Sequence, residues 1–270
     1  MNTRVGALIT KKVTCETYKV YIPAELPPKP PVELGPLYGL LEKAISALAG
    51  LNSKTASIPN TALFVYIYVR KEALLSSQIE DTQSSFSDLM LFEHQQKTNV
   101  SLDDVAEVSN YVKAIDYGLK RMSEGFPLSM RLLREIHGVL LSGGRGSAQS
   151  PGEIPRSQNW IGGTSPGNAL FVPPPVENLA SRLSNFEKFL HNETSLPVLV
   201  KAGIAHVQFE TIHPFLDGNG RLGRLLITLL LVQHGFLAEP ILYLNLYLKQ
   251  NRQTYYNLLQ EVRTENTWET

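Results

Sequence analysis

The segment from Arg224 to Gly235, RLLITLLLVQHG, is apolar on nearly every face of a predicted helix. A surface helix carries an apolar stripe on one side only, so a helix of this kind must be surrounded by other elements. The segment is well short of the roughly 20 apolar residues that a membrane-spanning helix requires. The chain is therefore expected to pack its other elements around this central helix.

Helical periodicity recurs along most of the remaining chain, and no longer repeat interrupts it. Predicted helices begin at Leu37, extend from about Thr61 to Leu75, and cover segments near 103–122, 130–143, 176–193 and 198–212. The expected fold class is all-α: a helical domain with one short β-hairpin and an N-terminal helical extension.

Two segments depart from this helical pattern. Residues 22–36, IPAELPPKPPVELGP, are rich in proline after an extended start, and we expect them to form a strap on the surface. Residues 143–175 are rich in Gly, Ser and Pro, and the apolar runs NWIGG and ALFVPPP flank the turn-forming TSPGN. This second pattern predicts a hairpin flap at about residues 158–175.

The overall composition excludes some classes of partner. The 25 basic residues balance 25 acidic ones and the pI is near 7.0, so no net field attracts nucleic acid or an anionic membrane. The N-terminus lacks the features of a secretory signal, and we expect a cytoplasmic protein. Cys15 is the only cysteine, which excludes an internal disulfide.

The glycine-rich sequence HPFLDGNGRLGR, residues 213–224, precedes the central helix and carries the chemistry. A helix N-terminus exposes unpaired amides and the positive end of the helix dipole, which favours phosphate. Glycines let the backbone approach a ligand closely, and the planar forks of Arg221 and Arg224 suit phosphate oxygens. Asp217 is suited to Mg²⁺, and His213 to the role of general base.

The same string matches HxFx(D/E)GNGRxxR, the active-site signature of the Fic family, at every fixed position. AHVQFETIHPF, QNWIGG, FVPPP and LYLKQNRQTYYNLLQEVR also resemble this family, so the similarity extends roughly from Ser76 to the C-terminus. The GNG form, in contrast to the ANK form of the related Doc kinases, resembles members that transfer AMP from ATP to protein hydroxyl groups.

The resemblance implies a role for each loop residue. His213 would accept the proton of the target hydroxyl, Phe215 would anchor the loop, and Asp217 would bind the Mg²⁺ that accompanies ATP. The Asn219 side chain and the neighbouring amides would stabilise charge at the α-phosphorus. The implied nucleotide-binding residues are Gly218, Asn219, Gly220, Arg221, Leu222, Gly223, Arg224 and Tyr255, with Asn251 and Tyr256 as further candidates for the adenine pocket.

The segment from Ser76 to Asp81, SSQIED, resembles the self-inhibitory motif (S/T)xxxE(G/N) of the family, with Asp81 in place of Gly or Asn. The resemblance implies that Glu80 pairs with Arg224 and takes the place of the γ-phosphate. It divides the chain into a regulatory region, 1–105, with an inhibitory helix at about 72–92, and a catalytic core, 106–270. In some relatives the glutamate also assists AMP removal, a second activity that this sequence allows.

The flap has an implied role in binding the target protein. In the family, a target segment adds to the flap as an extra strand through main-chain hydrogen bonds. Ile161, Gly162 and Gly163 are the candidate docking residues. Self-modification and a homodimer are both compatible with this sequence.

Two other functions remain open at this stage. His206, Glu210 and His213 share one face of a predicted helix, a spacing that could ligate the metal of a hydrolase. Alternatively, the loop could serve a non-catalytic module that senses nucleotides. The chain ends at RTENTWET, where Fic relatives usually continue into a further small domain.

Overall fold

A computed structural model describes residues 4–13, 16–98, 100–192 and 195–270, and the prediction about Cys15 lies outside these residues. A two-stranded hairpin, β1 (Ala7–Val13) and β2 (Glu16–Ile22), precedes the helices. The ten helices of the described residues are α1 (Tyr38–Ala56), α2 (Thr61–Ile79), α3 (Phe86–Glu93), α4 (Leu102–Ser123), α5 (Met130–Leu140), α6 (Val176–Asn192), α7 (Val198–Ile212), α8 (Asn219–Gln233), α9 (Leu244–Gln250) and α10 (Arg252–Glu265).

Helix α8 lies at the centre of the fold, as its sequence predicts. Leu222, Leu225, Leu226 and Leu229 are fully buried within the main hydrophobic core. That core also receives the apolar faces of α4, α5, α6 and α7. Burial of each leucine contributes about 1.5–3 kcal/mol of transfer free energy. The start of α8 is therefore held firmly in the core.

The strand pairing differs from the prediction. The regular sheet is the antiparallel pair β1–β2, where the sequence suggested only an extended start. Its signal is the alternation in β2, whose Tyr18 and Val20 are buried against Val172. The predicted flap is present, but it contains a single bridge, between Ile161 and Phe171, because glycines and prolines interrupt regular pairing on both sides.

The N-terminal hairpin and the strap pack against the core. The amide of Tyr21 donates to the carbonyl of Val172 at 2.9 Å, which joins β2 to the flap. In the strap, the backbone of Leu26 forms hydrogen bonds in both directions with the side chain of Asn185 on α6. The carbonyl of Ala24 accepts from Gln208 on α7 at 2.9 Å. The strap therefore follows the surface near the active-site helices, as predicted.

The region at about 72–92, which is predicted to carry the inhibitory helix, forms the end of α2, a corner and α3. Helix α2 ends at Ile79, and Asp81 then adopts a left-handed conformation with φ 65°. Ser85 starts α3 with a reciprocal capping box to Asp88. The helix is interrupted because an αL residue and an N-cap follow each other within a few positions.

The predicted division between residues 105 and 106 falls in the first turn of α4, which continues without a break to Ser123. That division stays a prediction. Among the described residues, no helix combines the length and apolarity needed to cross a membrane.

Candidate active site

His213 follows the last turn of α7 with left-handed backbone angles of φ 48° and ψ 60°. Non-glycine residues in this conformation concentrate at functional sites. Among the described residues, its buried Nδ1 has no hydrogen-bond partner. Burial, aided by the positive charge of Arg263, lowers the pKa of His213 to about 4. The imidazole is therefore neutral near pH 7, as a proton acceptor must be.

The loop after His213 is held by its own side chains. Asn219, only 2% exposed, accepts from the amide of Phe215 at 2.9 Å and donates to the carbonyl of Phe215 at 2.7 Å. Its side chain therefore shapes the loop in this structure, and its contact with an α-phosphate stays a prediction. Gly218 precedes α8 with φ 75°, a conformation that favours glycine.

Asp217 lies on the rim of this loop. Its carboxylate is 42% exposed, and Oδ1 accepts from the amide of Gly218 at 2.6 Å. Its backbone carbonyl lies 2.9 Å from Nε2 of His137. Since Nδ1 of His137 accepts from the amide of Gly152, Nε2 carries the proton and donates to Asp217. The His137 ring also stacks on the Phe215 ring, with 3.8 Å between the ring centres. His137 therefore contacts the loop through both a hydrogen bond and ring packing.

Arg224 is 1% exposed and binds Ser76 of α2 and Glu80, the C-cap of that helix. Its Nε donates to Oγ of Ser76 at 3.1 Å, and one terminal nitrogen donates to Oε1 of Glu80 at 2.8 Å. The Glu80 side chain is 37% exposed, so solvent reaches the carboxylate but not the guanidinium. The sequence-predicted contact between Glu80 and Arg224 is therefore formed.

The remaining loop residues have distinct environments. Arg221 is 3% exposed and donates to Oε2 of Glu107 on α4 at 3.2 Å, and its guanidinium lies 3.6 Å from Asp217. The Leu222 side chain belongs to the core, so only its backbone can face a nucleotide. A side chain at Gly220 would collide with Glu80, which places the Glu80 carboxylate against the first turn of α8.

One of the metal ligands proposed for the rival hydrolase, His206, has other partners. Nε2 of His206 lies 2.8 Å from the hydroxyl of Tyr255, and Nδ1 lies 2.9 Å from the carbonyl of Gly223. Because a carbonyl only accepts, Nδ1 carries the proton and Nε2 accepts from Tyr255. Both ring nitrogens of His206 are therefore occupied. No cluster of three potential ligands occurs within the described ranges.

Glu210 lies beside Arg224 with a different role from a metal ligand. Its Oε1 is buried and has no hydrogen-bond partner among the residues described, and a side chain at Gly223 would collide with this oxygen. Burial raises the pKa of Glu210 to about 7, although the charge of Arg224 opposes the shift. Gly223 is thus required for the close approach of α7 and α8.

Of the residues predicted to line the adenine pocket or the flap, only some lie close to the active-site loop. Tyr255 is buried on α10 by its bond to His206, whereas Tyr256 is 36% exposed. Asn251 is the N-cap of α10, and its amide donates to Tyr247. In the flap, Asn159 donates to the carbonyl of Phe215 at 2.6 Å, which attaches the Ile161 arm to the active-site loop.

Sequence reasoning missed several residues around the loop. Glu72 lies one helical turn before Ser76, and its Oε1 accepts from the amide of Asn245 at 3.0 Å. Its signal was the four-residue spacing Glu72, Ser76, Glu80 on one helix face. Glu107, His137 and Arg263 gave no such signal, because each comes from a helix distant in sequence.

Comparisons with known proteins agree with this geometry. The model described as "Fic/DOC family N-terminal" matches residues 38–120, and the model described as "Fic/DOC family" matches residues 127–231. Curated relatives named "Protein adenylyltransferase Fic" include those of Drosophila virilis and Drosophila willistoni, each 29% identical over 80% of this chain. The matched region is 41% and 40% of their respective lengths, so this chain spans about two fifths of these relatives.

Solved structures establish the fold independently. A Fic family protein from Desulfovibrio desulfuricans G20 aligns with a TM-score of 0.69 and 22% identity, over 87% of this chain and 69% of that one. A Fic domain containing signaling protein from Bacteroides thetaiotaomicron VPI-5482 aligns with a TM-score of 0.62 and 21% identity, over 84% and 81%. Together, the two family matches and the shared fold show that the chain belongs to the Fic/DOC family.

Proposed function

We propose that this protein transfers AMP from ATP to a hydroxyl side chain of a target protein or of itself. The observation that carries the proposal is the position of Glu80. Its carboxylate binds Arg224 at the first turn of α8, so this pocket already accommodates an anion. A helix N-terminus with a buried arginine suits phosphate for the same electrostatic reason. The names of the relatives support AMP transfer as the reaction.

The reaction needs a base and a site for the leaving group. The target hydroxyl oxygen forms a bond to the α-phosphorus, the bond from that phosphorus to the bridging oxygen breaks, and pyrophosphate leaves. Neutral His213 accepts the hydroxyl proton. Arg224 and the amides at the start of α8 stabilise the phosphate charge, and Asn219 and His137 hold the loop in place for this.

The chemistry of Asp217 fits Mg²⁺. Magnesium is commonly held by one or two carboxylates together with substrate phosphates, and Asp217 offers one partly exposed carboxylate on the loop. When bound, the ion supplies positive charge to the phosphate oxygens.

Glu80 is the proposed inhibitor of this activity. While it occupies Arg224, the γ-phosphate of ATP lacks its arginine partner, and ATP is not aligned for attack. The partly exposed flap is the proposed docking edge for the target strand, through Ile161, Gly162 and Gly163. Asn159 supports this role because it connects that arm of the flap to the loop that carries His213.

The test compares ATP labelled at the α-phosphate with ATP labelled at the γ-phosphate. The proteins are wild type, Glu80→Gly, His213→Ala and the double variant, each with Mg²⁺ and a cell lysate. Glu124→Gly is the matched control, because Glu124 is the exposed C-cap of α4 as Glu80 is of α2. We expect α-label on protein, strongest with Glu80→Gly and absent without His213. Transfer of the γ-label would indicate a kinase, and ATP binding without any label would indicate a sensing module.

A further inference from the structure

Arg263 joins α10 to the catalytic end of α7. The side chain is 9% exposed, and Nε donates to the hydroxyl of Thr211 at 3.1 Å. A terminal nitrogen donates to the backbone carbonyl of Glu210 at 3.2 Å. These two acceptors lie in the last turn of α7, immediately before His213. The guanidinium therefore bonds a helix C-terminus, where positive charge is favourable.

The same guanidinium also contacts the flap. Its central carbon lies 4.2 Å from the ring centre of Phe171, within the range of a cation–π contact. Phe171 forms the backbone bridge with Ile161, and its ring lies 5.9 Å from that of Tyr21 on β2. The Arg263 side chain thus contacts both the end of α7 and Phe171, one of the two bridged residues of the flap.

We propose that Arg263 is a positioning residue that fixes the flap relative to the end of α7, so that a strand docked on the flap presents its hydroxyl to His213. This inference rests on the proposed AMP transfer. It assigns to α10 a part in target alignment, beyond its proposed part in the adenine pocket.

The geometry requires an arginine. A guanidinium can donate from its edge and stack with its face at the same time, whereas an ammonium is a compact point charge that cannot do both. Misplacement of reacting groups by about 1 Å costs roughly 100-fold in rate, so a loosened flap should be costly.

The experiment uses Glu80→Gly as the parent, so that inhibition does not obscure the effect. Arg263→Met, Arg263→Lys, Phe171→Leu and the Arg263→Met/Phe171→Leu double variant are compared for AMP transfer, ATP affinity and melting temperature. Arg121→Met is the matched control. The guanidinium carbon of Arg121 lies 4.3 Å from the ring centre of Phe126, and this pair is at the far end of α4 from the active-site loop. Hydrogen exchange of the flap, residues 159–173, provides a readout that does not depend on activity.

We expect Arg263→Met to lower AMP transfer at least about tenfold while ATP affinity changes by less than about threefold. The double variant should be no slower than Arg263→Met alone, since both substitutions break one link. Lysine should recover only part of the rate, and flap exchange should rise in Arg263→Met but not in Arg121→Met.

The inference would be overturned if Arg263→Met changed neither AMP transfer nor hydrogen exchange of the flap. It would also be overturned if the losses of AMP transfer in Arg263→Met and Phe171→Leu multiplied in the double variant. An equal loss of ATP affinity and transfer would assign Arg263 to the nucleotide site instead. If the Glu80→Gly parent transfers no AMP, the proposed function fails, and flap exchange alone then decides whether Arg263 holds the flap.

Discussion

The carboxylate of Asp81 receives two hydrogen bonds from the guanidinium of Arg252, at 2.6 and 2.8 Å. Asp81 has a left-handed backbone with φ 65°, a conformation for which glycine or asparagine is better suited. Its neighbour Glu80 pairs with Arg224. The Asp81–Arg252 pair therefore ties the turn that carries Glu80 to the start of α10.

Breaking this pair should weaken inhibition slightly. Both side chains are substantially exposed, so the pair is worth at most about 1 kcal/mol, which corresponds to a rise in AMP transfer of about two- to fivefold. Arg252→Met should show this rise at neutral pH and low salt, well below the effect of Glu80→Gly. High salt should erase the difference from wild type.

The control for this comparison is Arg131→Met, which removes an exposed arginine paired with Glu135 on α5. Its AMP transfer should equal that of wild type. If Arg252→Met also behaves like wild type at low salt, the pair does not contribute to inhibition.

The turn of the flap should be sensitive to a single methyl group. Gly163 has φ 70°, and an added Cβ would lie 2.5 Å from the carbonyl oxygen of Asn168. Asn168 accepts from the amides of Thr164 and Ser165, so the methyl group would disturb the whole turn. A left-handed non-glycine residue costs about 1–2 kcal/mol in addition. In the Glu80→Gly background, Gly163→Ala should lower AMP transfer roughly tenfold, measured by α-label incorporation.

Gly125→Ala provides the matched control for the flap. Gly125 has φ 86° but no atom within 4 Å of an added Cβ, so it carries similar backbone strain at the end of α4 without the collision. Its melting temperature should fall while its AMP transfer stays unchanged. Equal transfer by both alanine variants would argue against a role of the flap turn in target docking.

His137 should stabilise the loop through its neutral ring. Burial lowers the pKa of His137 to about 4, from an ordinary value near 6.5. The unfolded chain binds the proton first as pH falls, so this contribution is full above about 6.5 and is lost toward about 4. His137→Phe retains an aromatic ring beside Phe215 but loses both hydrogen bonds of the imidazole.

That substitution should lower the free energy of unfolding at neutral pH by about 1–3 kcal/mol, and the deficit should shrink as the solution is acidified. Urea unfolding at several pH values measures the size of the deficit and its dependence on pH. A deficit that stays constant down to about pH 4 would show that His137 titrates normally in the folded protein.

The helical fold and the loop could be predicted from the sequence because their signals are local. The apolar faces of α8 and the glycines and charges of residues 213–224 need no knowledge of distant residues. The pairing of Glu80 with Arg224 was predictable only through a recurring motif, since the two residues come from separate helices. Physical reasoning from the residues alone assigns Glu80 no partner.

Contacts between distant helices were not predictable. Even within the active-site loop, the bonds of the Asn219 amide to the backbone of Phe215 are revealed only by the folded structure. The position of Arg263 against Thr211 depends on how α10 crosses α7. The β1–β2 hairpin was missed because β1 is mostly exposed and gives a weak pattern, whereas its pairing is decided by contacts of β2 with the flap.

Glu72 should make the protein less stable in alkaline solution. Burial raises its pKa to about 8, so the folded protein keeps the carboxyl protonated while the unfolded chain releases the proton near 4.5. The contribution is therefore full below about 4.5 and is lost as pH rises toward about 8. Glu72→Gln keeps an oxygen for the amide of Asn245 and cannot ionise. Near pH 4.5 we expect the variant and the wild type to have equal free energies of unfolding in urea. Above pH 8 the free energy of unfolding of the variant should be higher by a few kcal/mol, on the order of the shift in pKa. The exposed control Glu42→Gln should show no such gain. The same difference at both pH values would show that Glu72 is ionised in the fold.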